Sequence, residues 1–175
     1  MIKQRQINTL LATAVVTSVS LAVSQLSASA DQPKFSCGQS GGAPATVALT
    51  QRGIVPVIRW SSGYFTEAGF SPEVRCQMVS ERFETFYKNG TLDFLTTGKM
   101  NGQKVVCVAA NKGGGCLPEG LLFTLKTESD PGQTLKDLLG VKSGASGPLN
   151  ESSAPRVYID MEEFLKKRSR RQVGG

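Results

Sequence analysis

Apolar positions along the chain gather into short β-branched runs on either side of one helical stripe. "ATVALTQ" (45–51) and "IVPVIRWS" (54–61) read as two strands joined at Gln51-Arg52-Gly53. Pro56 inside the second run has no N–H for a ladder, which confines that strand to a sheet edge or a bulge. In "SPEVRCQMVSERF" the period changes: Cys76, Val79, Phe83 and Phe86 recur every three or four residues and predict one apolar helix face. Ser71 suits the N-cap, Pro72 the first helical position and Glu73 the positive end of the dipole. Glu84 and Lys88 are spaced as an i,i+4 pair, and Lys88-Asn89-Gly90 is a stop signal, so the helix is expected over 72–88.

"LDFLTTGKM" and "QKVVCVAA" flank Asn101-Gly102, a strong hairpin signal. "GLLFTLKT" predicts a further strand, and Asp130-Pro131 opens a short helical turn that Gly140 ends. Residues 141–156 are rich in Gly, Ser and Pro and read as a flexible loop. In residues 157–175, Val157–Ile159 suggests a short strand, and Asp160 with Glu163 is a capping-box-like helix start. Glu162–Lys166 and Glu163–Lys167 are spaced as helix pairs, and a basic tail follows. The element order predicts an α+β domain: an antiparallel sheet of about five strands packed on one main helix, with a small C-terminal α/β tail. Trp60, Phe65, Phe70, Phe83, Phe86, Phe94 and Phe123 are the expected core aromatics.

The N-terminus changes the picture from fold to compartment. Lys3 and Arg5 precede an apolar run of fourteen residues, Leu10 to Val23, and Ala28-Ser29-Ala30 supplies a small-residue cleavage site. This is the pattern of a secretory signal peptide over 1–30; retention as an N-terminal anchor is the competing expectation. Residues 31–44 form a polar, Gly-rich lead-in with a short strand around "KFSCG", and 45–140 form the core domain with Cys37 tied in. Cleavage takes Lys3 and Arg5 from the 20 basic residues, leaving 18 against 14 acidic and a net charge of +4. Much of that excess sits in "KKRSRR". No basic stripe interleaved with aromatics is present, so nucleic acid is not an expected partner.

The four cysteines, Cys37, Cys76, Cys107 and Cys116, all follow the signal-like segment. An even count in an exported chain reads as two disulfides. Of the three possible pairings, Cys107–Cys116 and Cys37–Cys76 are favoured. The first closes "CVAANKGGGC" between two expected strands, and the second ties the N-terminal segment to the helix. A catalytic thiol needs a base, and the chain has no histidine. Zinc needs closer paired spacing. No metal and no cofactor are therefore expected.

"FSCG", "RGIVPVIRW", "SPEVRCQMVSERF", "TTGKMNGQKVVCVA" and "CLPEGLLFTL", in this order, resemble the circadian oscillating protein family of cyanobacteria. The resemblance spans residues 35–165 and includes all four cysteines; the basic "KKRSRR" segment is not part of it. It implies an exported or membrane-associated protein whose abundance cycles over the day. It supplies no catalytic residues, because no biochemical activity is established for the family.

Candidate chemistry is sparse. Triads and common metal sites lack their histidine, and none of the 14 acids stands in a signature. "NKGGGC" lacks the G-K-[ST] of a phosphate loop. The sequons at Asn89 and Asn150 are expected to be silent in a bacterium. Arg75 and Arg82, seven residues apart beside the apolar face, are candidates to hold an anionic group between helix and sheet. The competing assignment pairs them with Glu81, Glu84 or Asp93. Arg59-Trp60 is a candidate ligand platform, against a plain core tryptophan. Lys166, Lys167, Arg168, Arg170 and Arg171 are candidates for contact with an anionic membrane surface. The expected function is a non-enzymatic binding or scaffolding protein of the periplasm or cell envelope, acting on a protein or envelope ligand. The alternative is a small hydrolase, or hydrolase inhibitor, working through the Cys107–Cys116 loop.

Overall fold

Two antiparallel sheets and three helices enclose one apolar core in the computed structural model, which describes residues 34–140 and 156–173. The signal-like segment and nearly all of the 141–156 loop lie outside the described residues. The first sheet has the order β1 (Lys34–Ser40), β2 (Ala43–Thr50), β3 (Gly53–Arg59). Gly41 and Gly42, at φ 56° and 75°, make the two-residue turn that pairs Ser40 with Ala43; both central positions need the positive φ that glycine tolerates. In β3, Pro56 faces Val47 and Ile58 faces Thr46, so Val57 is the extra residue of a bulge. β3 is also a sheet edge. Both outcomes expected of Pro56 are therefore realised.

Helix α1 (Pro72–Lys88) begins where Ser71 Oγ accepts the Val74 N–H at 3.3 Å and is closed at Asn89, whose N–H returns to the Thr85 carbonyl, while the Gly90 N–H returns to the Tyr87 carbonyl. Its buried face, Cys76, Val79, Ser80 and Phe83, lies on β1 and β2. Phe35 of β1 stacks on Phe83 at 5.3 Å. Glu84 pairs with Lys88 at 3.1 Å and also accepts the Phe35 N–H at 2.8 Å, tying the helix to β1.

The second sheet has the order β6-β5-β4-β7. Its hairpin, β4 (Phe94–Met100) and β5 (Gln103–Ala109), turns at Asn101-Gly102, with φ 50° and 76°. β6 is Leu121–Thr124 and β7 is Ile159–Asp160. Helix α2 (Pro131–Leu138) is capped by Asp130, whose Oδ1 accepts the Gln133 N–H at 2.6 Å. Helix α3 (Met161–Val173) starts where Asp160 Oδ1 accepts the Glu163 N–H at 2.9 Å. Glu163 and Lys167 make their expected pair at 2.6 Å. The two sheets meet where the Trp60 ring abuts the Phe123 ring edge-on at 5.2 Å.

The α+β class, the main helix, the Asn-Gly hairpin and both disulfides stand as expected. The strands, however, divide between two sheets, because the chain leaves β3 through an irregular segment and α1 before re-entering at β4. The short strand around "KFSCG" spans seven residues, and its Phe35 enters the core. Phe164 also belongs to the core, whereas Phe70 is 43% exposed. The basic residues 166–171 are helical rather than a tail.

Candidate functional site

A groove of about 410 Å³ opens between α1, β6 and the segment that leads from β3 into α1. Phe65, Ala68 and Phe70 come from that segment; Arg75, Met78, Val79 and Arg82 from α1; Gln103 from β5; Leu121, Leu122, Phe123 and Thr124 from β6. The volume lies in the range of small-molecule sites. Ten of the twelve linings are neutral and both charged ones are arginines. The two arginines singled out from the sequence are thus brought to one cavity, seven residues apart on one helix. Two turns of helix keep positions 75, 78, 79 and 82 on a common side.

Arg75 is the more unusual group. Its guanidinium lies over Trp60 at 5.2 Å and over Phe65 at 5.7 Å, and one Nη donates to the Ser62 carbonyl. Its Nε is shielded from water and has no acceptor. Burial pushes the Arg75 pKa down, against a smaller opposing pull from Glu73. Glu73 itself is turned to Ser71, whose hydroxyl donates to it at 2.8 Å. Arg82 donates to the Leu122 carbonyl on β6 at 2.6 Å. Among the described residues neither arginine is in an ion pair; Glu84, one of the partners considered from the sequence, is taken by Lys88. A guanidinium carries five N–H donors, so each arginine spends only part of its capacity on the fold.

The remaining candidates are distributed elsewhere. Arg59 is exposed and donates to the Gly41 carbonyl at 3.2 Å. Trp60 is 2% exposed, and its Nε1 donates to Thr46 Oγ1 at 3.1 Å. The cation over its ring is therefore Arg75, not Arg59, and Trp60 serves as a core residue behind the groove. Cys37–Cys76 joins β1 to α1, and Cys107–Cys116 closes the loop after β5. That loop is pinned by Tyr158, whose hydroxyl donates to the Gly114 carbonyl at 2.6 Å. Between the two cysteines it carries one ionisable side chain, Lys112.

On α3, Lys166, Lys167, Arg170 and Arg171 are exposed. Arg168 faces inward: it donates to the Leu139 carbonyl at the end of α2 and lies 5.2 Å from the Phe164 ring. Desolvation lowers its pKa, and Arg171 adds to the effect. Arg168 thus locks α3 to α2 and is withdrawn from the cationic surface. Among the described residues no group of three or more His, Cys, Asp or Glu side chains is placed to hold a metal ion, and no helix is long and apolar enough to cross a membrane.

The groove's apolar wall was not read as such from the sequence, which assigned Phe65 and Phe70 to the core. Phe70 and Met78 line the groove and are both more than a third exposed, and Tyr64 and Val74, exposed nearby in the chain, are not part of its lining. The available signal was a cluster of aromatics in the irregular stretch before Ser71, where neither helix nor strand period accounts for them.

A family model described as circadian oscillating protein COP23 matches residues 34–166. No curated protein and no solved structure matches the chain. The match takes in both disulfides and every residue of the groove, and it ends within the first half of α3.

Proposed function

The chain belongs to the circadian oscillating protein COP23 family, and from that premise we propose that it is an exported, disulfide-stabilised, non-enzymatic binding protein of the periplasm or membrane surface, with the α1–β6 groove as its binding site. The observation that carries the reading is the groove itself: two arginines with no ion pair among the described residues, set in apolar walls, with no acid, thiol or amine among its lining residues. Such a lining can hold and orient a ligand but offers no general base or nucleophile beyond Thr124. The compartment rests on two formed disulfides, which persist in oxidising surroundings.

The exposed face of α3 supports a station at the membrane surface. Lys166, Lys167, Arg170 and Arg171 are exposed on this helix, whereas Met161, Phe164 and Ser169 are buried. Basic residues near an anionic leaflet are worth about 1 kcal/mol each. Co-sedimentation with vesicles rich in phosphatidylglycerol, but not with phosphatidylcholine vesicles, is the expected result. Replacement of these four residues by Gln is expected to abolish it.

Intact mass of the protein from periplasm and envelope tests the export. A mass beginning at Asp31, with four alkylatable thiols appearing only after reduction, supports the reading. Retention of residues 1–30, or free thiols before reduction, overturns the cleaved, stapled form. Family membership adds the proposal of an abundance that cycles over the day, read by immunoblot through constant light.

A further inference from the structure

Resting on the reading of the groove as a binding site, we infer that its ligand is an amphiphilic anion: one oxyanion head on an apolar body, with the head drawn to Arg75 and Arg82 and the body laid along Phe70, Met78 and Leu121. Three observations converge on this class.

The first is charge. Two guanidinium groups line one cavity, and among the described residues no carboxylate makes an ion pair with either; Glu73, which attracts Arg75, is hydrogen-bonded to Ser71. A cation removed from water without a counter-charge is unfavourable, and an oxyanion drawn in beside it restores the balance. Arginine suits this role because its planar fork matches the two oxygens of a carboxylate or phosphate.

The second is the unfinished hydrogen bonding of Arg75. Ser62 takes one Nη, the rings of Trp60 and Phe65 take the faces, and Nε is left without an acceptor. Buried donors are almost always satisfied, so an unmet one beside a cavity calls for an explanation. Nε itself is shielded from the groove, so a ligand would act on the guanidinium as a whole: an anionic head beside Arg75 brings counter-charge to a cation whose hydrogen bonding the fold leaves incomplete.

The third is the wall. Phe70 and Met78 are 43% and 36% exposed at the groove, an apolar surface that a ligand's hydrocarbon would cover. A small inorganic anion would use the arginines and leave this wall in water. A neutral hydrocarbon would cover the wall and leave the arginines uncompensated. Only a molecule with both parts uses both features.

The test is calorimetry on the full exported protein with decanoate and decyl phosphate. Acetate and inorganic phosphate supply the head alone, and decanol the body alone. Trp60, the single tryptophan of the chain, lies against Arg75 and gives an independent fluorescence reading. Either amphiphile is expected to bind at least tenfold more tightly than acetate, phosphate or decanol, and the tighter of the two identifies the head group. Arg75→Met and Arg82→Met are each expected to weaken that binding at least tenfold. Met78→Glu changes an exposed groove residue and leaves both arginines in place. It is expected to do the same with its melting temperature kept, so a loss of binding cannot be ascribed to unfolding.

If acetate or phosphate binds as tightly as the amphiphiles, the groove remains a binding site and the amphiphile inference fails. If decanol equals decanoate, the arginines are not the anchor and the inference again fails. If no probe binds and the three variants are indistinguishable from wild type, the inference and the binding-groove reading fail together.

Discussion

Replacing Cys37 and Cys76 together by Ala is expected to lower stability by about 4 kcal/mol. The bridge spans a sequence separation of 39, with the two Cα atoms 5.4 Å apart. In the chain-entropy model a closed loop of about 40 residues removes some 13 cal/mol/K from the unfolded ensemble, or about 3.9 kcal/mol at 25 °C. The same formula for the Cys107–Cys116 bridge, with its separation of 9, gives about 2.7 kcal/mol. The order of the two losses is therefore part of the expectation. β1 keeps its ladder to β2 and its Phe35–Phe83 stack without the bridge, so the variant folds, with less margin against a typical stability of about 5–15 kcal/mol. At about 2–4 °C per kcal/mol for a domain of this size, the melting temperature falls by about 8–16 °C. Thermal and urea melts followed by circular dichroism under oxidising conditions measure this. Cys76 is fully buried, so packing must be separated from linkage. In a Cys107→Ala/Cys116→Ala background, added reductant opens only the Cys37–Cys76 bridge and keeps its sulfur atoms, and the same loss is expected. A change below 2 °C, or a larger loss from the shorter loop, would refute the reasoning.

Gly98 is expected to reject even alanine: a Cβ there would lie 2.5 Å from Cys116 Sγ, and overpacking of this kind costs about 1–3 kcal/mol. The penalty of Gly98→Ala should shrink when Cys107 and Cys116 are both Ala, which a double-mutant cycle of urea midpoints would reveal. Thr46→Val is expected to destabilise by about 2–4 kcal/mol, because the buried Thr46 Oγ1 accepts from both Trp60 Nε1 and Ser80 Oγ and two donors would be left unmet. Thr46→Ser should restore most of the loss, and unchanged tryptophan emission and midpoint in the Val variant would dismiss the network. Glu73 has its pKa held below the ordinary 4.5 by a backbone hydrogen bond and then by Ser71. A lowered folded value means its contribution is whole above pH 4.5 and is lost as pH falls through that lowered value. Stability of Glu73→Gln should fall less steeply than wild type below pH 4.5; parallel curves of urea midpoint against pH would remove Glu73 from the account.

How far each feature could be read in advance depended on the range of the interaction behind it. Ser71-Pro72-Glu73 and Asn101-Gly102 act within a few residues of themselves, through an N-cap bond and a pair of positive φ angles, and both elements formed where expected. Pro56 announced its edge strand and bulge for the same reason: a missing N–H is a property of the residue. Arg59 and Trp60 are adjacent in sequence, which allowed either a shared ligand platform or a plain core tryptophan, and the core tryptophan is what forms. Arg59 ends β3 and Trp60 follows it, and their side chains point to opposite sides of the extended chain, so one reaches Gly41 at the surface and the other enters the core.

By itself the sequence determined the class of elements and the choice of Arg75 and Arg82 as candidates, and it favoured, among three possible cysteine pairings, the one that the structure shows. The reasons are local: side-chain period, capping chemistry, turn dihedrals and the chain length between thiols. Only the tertiary structure decided what the two arginines face. Arg82 meets the Leu122 carbonyl 40 residues away, and Arg75 meets Ser62 and Trp60 across the end of the first sheet. The division of the strands into two sheets sets β6 beside α1, and the docking of α3 on α2 through Arg168 withdraws one cation from the exposed face. These contacts depend on how whole elements pack against one another, and no short-range pattern in the chain encodes that.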